Sequence, residues 1–397
     1  MHTKDSHSYR PDSFANLTSL LLVAMMGASI LTLLPLWVGG LSDRGLFTQQ
    51  QTGWLAAADV IGIFVSSASA IFWVRKVPWR AVVLSGLTCF LLGNLASLGA
   101  EDFTTLMAIR IIAGIGCGSA YAVALAALGD HRNPQMAFGL MVAAQVFFGT
   151  VGFFAVPRIM AQLQIDGFFH YLNGWLVLTL LSCMLAFPRS QKPEALPQET
   201  VFGTLLNGRS LLVFGTTVVY YCGVSAVWAY LERIGLEMGL ESARVGDLLG
   251  IGFAISGLGS LATPWLTARI GRVPTLTLAM MLQIATMAAL IGGNTLDAYL
   301  LYASTSIVFQ FFWSFSLPLL MDQFNRVDDT GRFIVLCASA FKVGEIVGPP
   351  LAAALIINNN FVPVLILGII CMALTLMMAA ITERRQIPVA QPAVSPA

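Results

Sequence analysis

Charge is what this sequence has least of. Of 397 residues, 21 are Lys or Arg and 20 are Asp or Glu, 10% in all, against about a quarter in soluble domains. That is too little to cover a water-facing globule. Histidine is also scarce, and His2, His7, His131 and His170 stand at no ligand spacing, which removes the raw material for a zinc or redox metal centre. The six cysteines, Cys89, Cys117, Cys183, Cys222, Cys337 and Cys371, all fall inside apolar stretches, as small buried hydrophobes do and a disulfide framework does not. The chain has no Walker-type G-x-x-x-x-G-K-[ST] loop, no nucleophile elbow and no H-E-x-x-H, so neither an ATP-driven pump nor a membrane enzyme is expected, with no catalytic residue, metal or other cofactor. A net charge of +1 provides no basic patch for nucleic acid.

What is abundant is apolar length, 57% of the residues. Runs of roughly 20 apolar residues are membrane helices in the making, because a helix of that length crosses about 30 Å of hydrocarbon. Twelve such runs are visible, at 17–39, 53–74, 79–99, 103–128, 135–157, 168–187, 210–231, 244–267, 274–293, 296–320, 333–357 and 361–382. The pattern predicts an all-α polytopic membrane protein of twelve transmembrane helices in two six-helix halves. The expected divisions are a cytoplasmic tail at 1–16, an N-terminal bundle at 17–187, a cytoplasmic central loop at 188–209, a C-terminal bundle at 210–382 and a disordered cytoplasmic tail at 383–397. The first run is too long for a signal-peptide core, so the N-terminus is expected to be retained. With both termini inside, 15 Lys and Arg fall on the inner side and 4 on the outer, the asymmetry that orients membrane proteins. The lipid bilayer is therefore the first partner.

Two short basic turns, Arg75-Lys76-Val-Pro-Trp-Arg80 after the second run and Arg269-Ile-Gly271-Arg272 after the eighth, lie about 193 residues apart, a weak internal repeat of the kind two-half transporters carry. The fourth run contains Arg110-Ile-Ile-Ala-Gly114-Ile-Gly116-Cys-Gly118, a spacing of small residues that lets helix backbones approach. On these stretches the sequence resembles the major facilitator superfamily, whose loop between helices 2 and 3 carries a G-x-x-x-D-R-x-G-R-R type motif and whose fourth helix carries R-x-x-x-G-x-G. The second copy of the loop has Ala268 at the aspartate position; the first has Arg75 there and Pro78 at the glycine position. The fifth run holds Gly149, Gly152 and Pro157 but lacks the G-P-x-x-G-G ending of proton antiporters that export drugs, while the eleventh holds Gly344, Gly348, Pro349 and Pro350, where packing and bending are expected. The resemblance implies alternating access by rocking halves, a monomer, and a place in the inner (plasma) membrane.

Four charges stand well inside runs: Asp59, Arg110, Lys342 and Glu345. Each costs on the order of 3 kcal/mol at a lipid-facing helix centre, so all four should face the interior. Asp59 and Arg110 lie at matched depth, which points to an ion pair between the second and fourth helices. Two roles stay open for it, a structural pair or a proton-sensitive gate with Arg110 as an anion site. Lys342 and Glu345, three apart near the midplane, read either as a self-neutralising pair or as the site itself, with Lys342 attracting an anionic substrate and Glu345 carrying a proton. Gln145 and Gln310, like Gln283, are amides that need partners at depth. Tyr220, Tyr221 and Trp313 are candidates to line a cavity, and Trp37, Trp228 and Tyr230 to anchor at the interface. The function expected is secondary active transport of a small organic solute, anionic and coupled to H+. A proton-coupled exporter of drugs or metabolites stays open, and below it a non-transporting receptor or assembly factor.

Overall fold

Helix ends in this chain are set by local chemistry. Ser13, Asp102, Asn133 and Asp297 each accept a hydrogen bond from a first-turn backbone N–H, and Thr48 forms a reciprocal capping box with Gln51, satisfying donors that no helical carbonyl can take. Gly45, in the left-handed conformation at φ 66°, and Gly271, at a positive φ of 84° that favours glycine, each stop one helix before the next. The computed structural model describes residues 13–188, 208–293, 297–326 and 335–384; the expected tails and most of the central loop lie outside them. Among the described residues are thirteen helices: α1 (Phe14–Thr32), α2 (Leu34–Arg44), α3 (Gln49–Trp73), α4 (Trp79–Leu98), α5 (Phe103–Gly129), α6 (Pro134–Leu163), α7 (Asp166–Leu185), α8 (Gly208–Glu237), α9 (Ser242–Ile270), α10 (Arg272–Gly292), α11 (Ala298–Asn325), α12 (Val335–Leu355) and α13 (Val362–Arg384).

Eleven of these are long and apolar enough to cross a membrane. The twelfth crossing is α12, whose 21 residues include Lys342, Glu345, Pro349 and Pro350, so its middle carries the polarity that most other spans lack there. The first run, expected to be one helix, is two. Pro35 has no N–H to give the Leu31 carbonyl, α1 ends and α2 starts at Leu34, and the Trp228 indole N–H donates to that carbonyl at 3.0 Å instead. Together α1 and α2 make one span.

Helices α1 to α7 pack among themselves, as do α8 to α13, giving the two six-span halves. A side chain at Gly114 or Gly118 would collide with α3, and one at Gly116 with Gly86 of α4, so the small-residue motif is the wedge that lets α5 sit between them. Gly344 and Gly348 perform the same service for α12 against α8. The halves meet where α3 lies on α12, α6 on α9 and α2 on α8. Gly53 of α3 packs on Pro349 and Pro350, and Gly246 of α9 packs on Pro157 and the Phe153 carbonyl of α6; Gly53 and Gly246, like Pro157 and Pro350, stand 193 positions apart, so the two contacts are copies of one.

Both copies lie toward the end of the bundle opposite the start of α1 and the end of α13, the far face. The same end holds the polar links between side chains of the two halves that the described residues make: Arg158 to Asp247 at 2.7 and 2.9 Å, Arg233 to Asp43 at 2.7 and 3.0 Å, and Gln49 to Asn359 at 3.2 Å. A carrier working by alternating access, as the family resemblance implies, would have to open this seal. Oxidative cross-linking of an Arg158→Cys, Asp247→Cys pair is expected to stop transport, with reductant restoring it; undiminished flux in the cross-linked protein would show that the contact never parts.

Candidate functional site

Asp59 and Arg110 find each other as the matched depth predicts. Arg110 reaches across from α5 to α3, with Nε at 3.0 Å from Oδ2 and Nη2 at 2.5 Å from Oδ1 of Asp59, both side chains fully buried. Nη1 donates to Asn94 Oδ1 at 2.7 Å and Ser97 Oγ at 3.4 Å, and Asn94 in turn donates to Asn173 at 2.9 Å. Rings of Trp37, Phe90 and Phe169 surround the guanidinium at 5.4 to 5.7 Å. Every strong acceptor demanded by a buried arginine is present, and the cluster lies inside the N-terminal half, away from its junction with the other. The amides of Asn94 and Asn173 were a signal that a reading of glutamines and charges missed.

Lys342 and Glu345 are also paired, Nζ to Oε2 at 2.7 Å, with 22% and 9% of their side chains exposed. That exposure decides their character: about a third of the way along α12, roughly 10 Å from its start by the 1.5 Å rise per residue, with Glu345 half way along, the ammonium is not sealed. It faces the other half, within electrostatic reach of Tyr121 and Cys117 on α5. Tyr121, which sequence reasoning passed over as one aromatic among many, adjoins Gln145 of α6, whose Nε2 donates to the Ala24 carbonyl of α1 at 3.2 Å. Tyr221 of α8 lies near Glu345 and stacks on Phe341 at 4.4 Å. At the 193-residue offset Lys342 and Glu345 fall on Gly149 and Gly152, so the charged pair belongs to one half alone.

The remaining predicted residues divide. Trp313 stacks on Phe253 at 6.3 Å, and Phe253 on Trp228 at 6.2 Å, an aromatic column at the junction. Tyr220 is turned instead into the C-terminal half, where its hydroxyl and Gln283 share hydrogen bonds at 3.2 and 3.4 Å and Gln283 reaches Ser316. Gln310 is 1% exposed, packs on Gly252 and donates to the Ser306 carbonyl at 3.2 Å. Trp37 and Tyr230 are not interface anchors, being 1% and 0% exposed; Trp37 lies beneath Arg110, and Trp228 caps Leu31. The basic turns find their acids at helix ends: Arg75 grips Asp130 at the end of α5 and lies 5.3 Å above Trp79, and Arg272 grips Asp322 near the end of α11. Arg80 donates to the Met184 carbonyl, Lys76 is exposed, Arg269 lies 3.9 Å over Trp265, and Gly271 turns α9 into α10.

This is the architecture of a two-half carrier, and comparison with known proteins decides the family. The model of the Major Facilitator Superfamily matches residues 17–327 and 213–396. The chain belongs to that superfamily. It is a multi-pass membrane transporter, not an enzyme. Relatives include the uncharacterized MFS-type transporter YfhI of Bacillus subtilis, 27% identical over 77% of this chain and 76% of that one. Another is the 3-(3-hydroxy-phenyl)propionate transporter of Escherichia coli, 22% identical over 70% of each. Among solved structures, the nucleoside transporter NupG superposes with a TM-score of 0.70 at 11% identity, over 94% of this chain and 99% of that one, and the fold is shared. Arg75 and Arg272 of the transporter's two basic turns thus sit in ion pairs that the linear motif does not spell out.

Proposed function

We propose that this transporter moves a small organic anion together with a proton, by alternating access around Lys342 and Glu345. The observation that carries the reading is a partly exposed lysine paired with a buried glutamate, within the span of α12 and on the junction between the halves. An ammonium at that depth must keep an anionic partner, because an unpaired charge costs several kcal/mol to bury. A substrate carboxylate that takes Glu345's place at the Lys342 Nζ leaves Glu345 without its cation, and the carboxyl then takes up a proton. One anion and one proton thus enter together and the site keeps its net charge. Tyr121, Gln145, Tyr221 and Trp313 supply aromatic and amide surface for the rest of the molecule, and the name of the hydroxyphenylpropionate-carrying relative supports an aromatic carboxylate. Asp59 and Arg110 are read as a structural clamp, since both are sealed.

The proposed setting is the inner membrane, with both termini cytoplasmic and the transporter working as a monomer whose halves divide at 188–209. The test is counterflow and uptake in proteoliposomes under an imposed pH gradient, with arylalkanoates, simple carboxylates, sugars and cationic dyes. Carboxylate accumulation that follows the proton gradient is the expected result. Movement of dyes without carboxylates would replace this reading with that of an exporter.

A further inference from the structure

Arg233, near the end of α8, holds two carboxylates. Its Nη1 and Nη2 lie 2.7 and 3.0 Å from Asp43 of α2, across the junction between the halves, and its Nε lies 2.8 Å from Oε2 of Glu232, the residue before it. One cation thus faces two anions, and this latch on the far face carries a surplus negative charge. Water serves the two acids unequally, since the Asp43 side chain is 64% exposed and that of Glu232 is 4%. Among the described residues Glu232 accepts hydrogen bonds from Arg233 alone, and its Oε2 lies where a side chain at Gly39 of α2 would have to go. The other half therefore provides both the second carboxylate and part of the cover over the first.

The elements around Glu232 do not offset that charge. Tyr302 of α11 is within its electrostatic reach but commits its hydroxyl to the Leu231 carbonyl at 2.9 Å. On α2, Arg44 is turned to the carbonyls of Leu98 and Ala100. On α9, Arg244 lies by Glu241 and Asp247 holds Arg158. On α12, Lys342 holds Glu345, and α13 has no charged residue before Glu383.

We propose that Glu232 makes this latch proton-sensitive: it holds a proton while the far face is closed and gives it up when the face opens. Closing brings Asp43 onto Arg233 and the α2 backbone over Glu232, so the charged form of the buried acid must share its cation and loses its water. A proton removes the surplus charge, and the carboxyl still accepts from Arg233. Opening takes Asp43 and α2 away and leaves Arg233 to Glu232 alone. The proton comes from the far side and returns to it, so this group moves none across the membrane, in contrast to the role proposed for Glu345. Acid therefore favours the closed far face, and that preference fades as the pH rises. The latch works in this way whatever solute is carried.

The test is the distance between spin labels at Leu46→Cys after α2 and Ile357→Cys after α12, both exposed on the far face, in the full chain in lipid nanodiscs. Cys89, half-buried where the other five cysteines are buried, is changed to alanine. Raising the pH from about 5.5 to about 8.5 is expected to lower the ratio of closed to open populations about tenfold, which corresponds to a one-unit difference in proton affinity between the two states. Glu232→Gln, neutral throughout, is expected to keep the closed population high and level over that range. Asp43→Asn, at an exposed position where the fold tolerates the change, is expected to open the face more at every pH and to flatten the dependence. Glu345→Gln is expected to keep the wild-type dependence. A wild-type distance distribution that does not move with pH, or full dependence in Glu232→Gln or in Asp43→Asn, would overturn the proposal; loss of the dependence in Glu345→Gln would do so too, by assigning the sensing to the Lys342 pair.

Discussion

Glu345→Gln is expected to separate the two halves of the transport cycle: anion counterflow persists, while accumulation driven by a pH gradient is abolished. Glutamine keeps the shape and still accepts a hydrogen bond from Lys342, but it cannot take the proton that compensates the arriving carboxylate. Lys342→Ala is expected to lose both activities, with substrate affinity falling about 100-fold, the roughly 2.7 kcal/mol that a desolvated charge pair contributes. The contrast between the variants matters more than either loss. If Glu345→Gln lost counterflow as completely as Lys342→Ala, the glutamate would be serving only to hold the lysine. Lys342→Ala with unchanged affinity would make the pair a device for inserting α12 into the membrane.

Asp59→Asn or Arg110→Met, each alone, is expected to destabilise the protein by about 3–5 kcal/mol, because either leaves a buried charge without its partner. Both side chains are fully buried and the guanidinium is also committed to Asn94 and Ser97, so there is no route by which water could compensate. The double variant Asp59→Leu, Arg110→Met removes both charges and is expected to recover most of that stability and to transport. Thermal melting in detergent beside counterflow reads both effects. A stable double variant that cannot couple anion to proton would return this pair to the role of gate, and single variants as stable as wild type would remove the clamp.

Much was legible along the chain because the signals concerned are local. Hydropathy runs mark membrane helices whatever their neighbours are, and eleven runs became single helices. The exception, at Pro35, depended on what the freed Leu31 carbonyl would find, and its partner Trp228 is nearly 200 residues away. Asp59 and Arg110 could be matched because depth is countable from the span ends. Their further partners Asn94 and Asn173 could not, since an amide in an apolar run does not announce which neighbour it will face. Tyr220 and Tyr221 are adjacent and chemically identical, yet a rotation of about 100° per helical residue turns one toward Gln283 and the other toward Glu345.

By itself, then, the sequence determined the class, the number of spans, the two-half organisation and the four charges that need an explanation, since these follow from transfer free energies and periodicities that each segment carries with it. The tertiary structure decided which charges are sealed and which are reachable, that Arg75 and Arg272 take Asp130 and Asp322, and that the far face is the closed one. Those outcomes depend on which helix faces meet, and that is set by close backbone contacts at residues such as Gly53, Gly114, Gly246 and Gly348, whose partners lie on other helices and leave no mark in the local pattern.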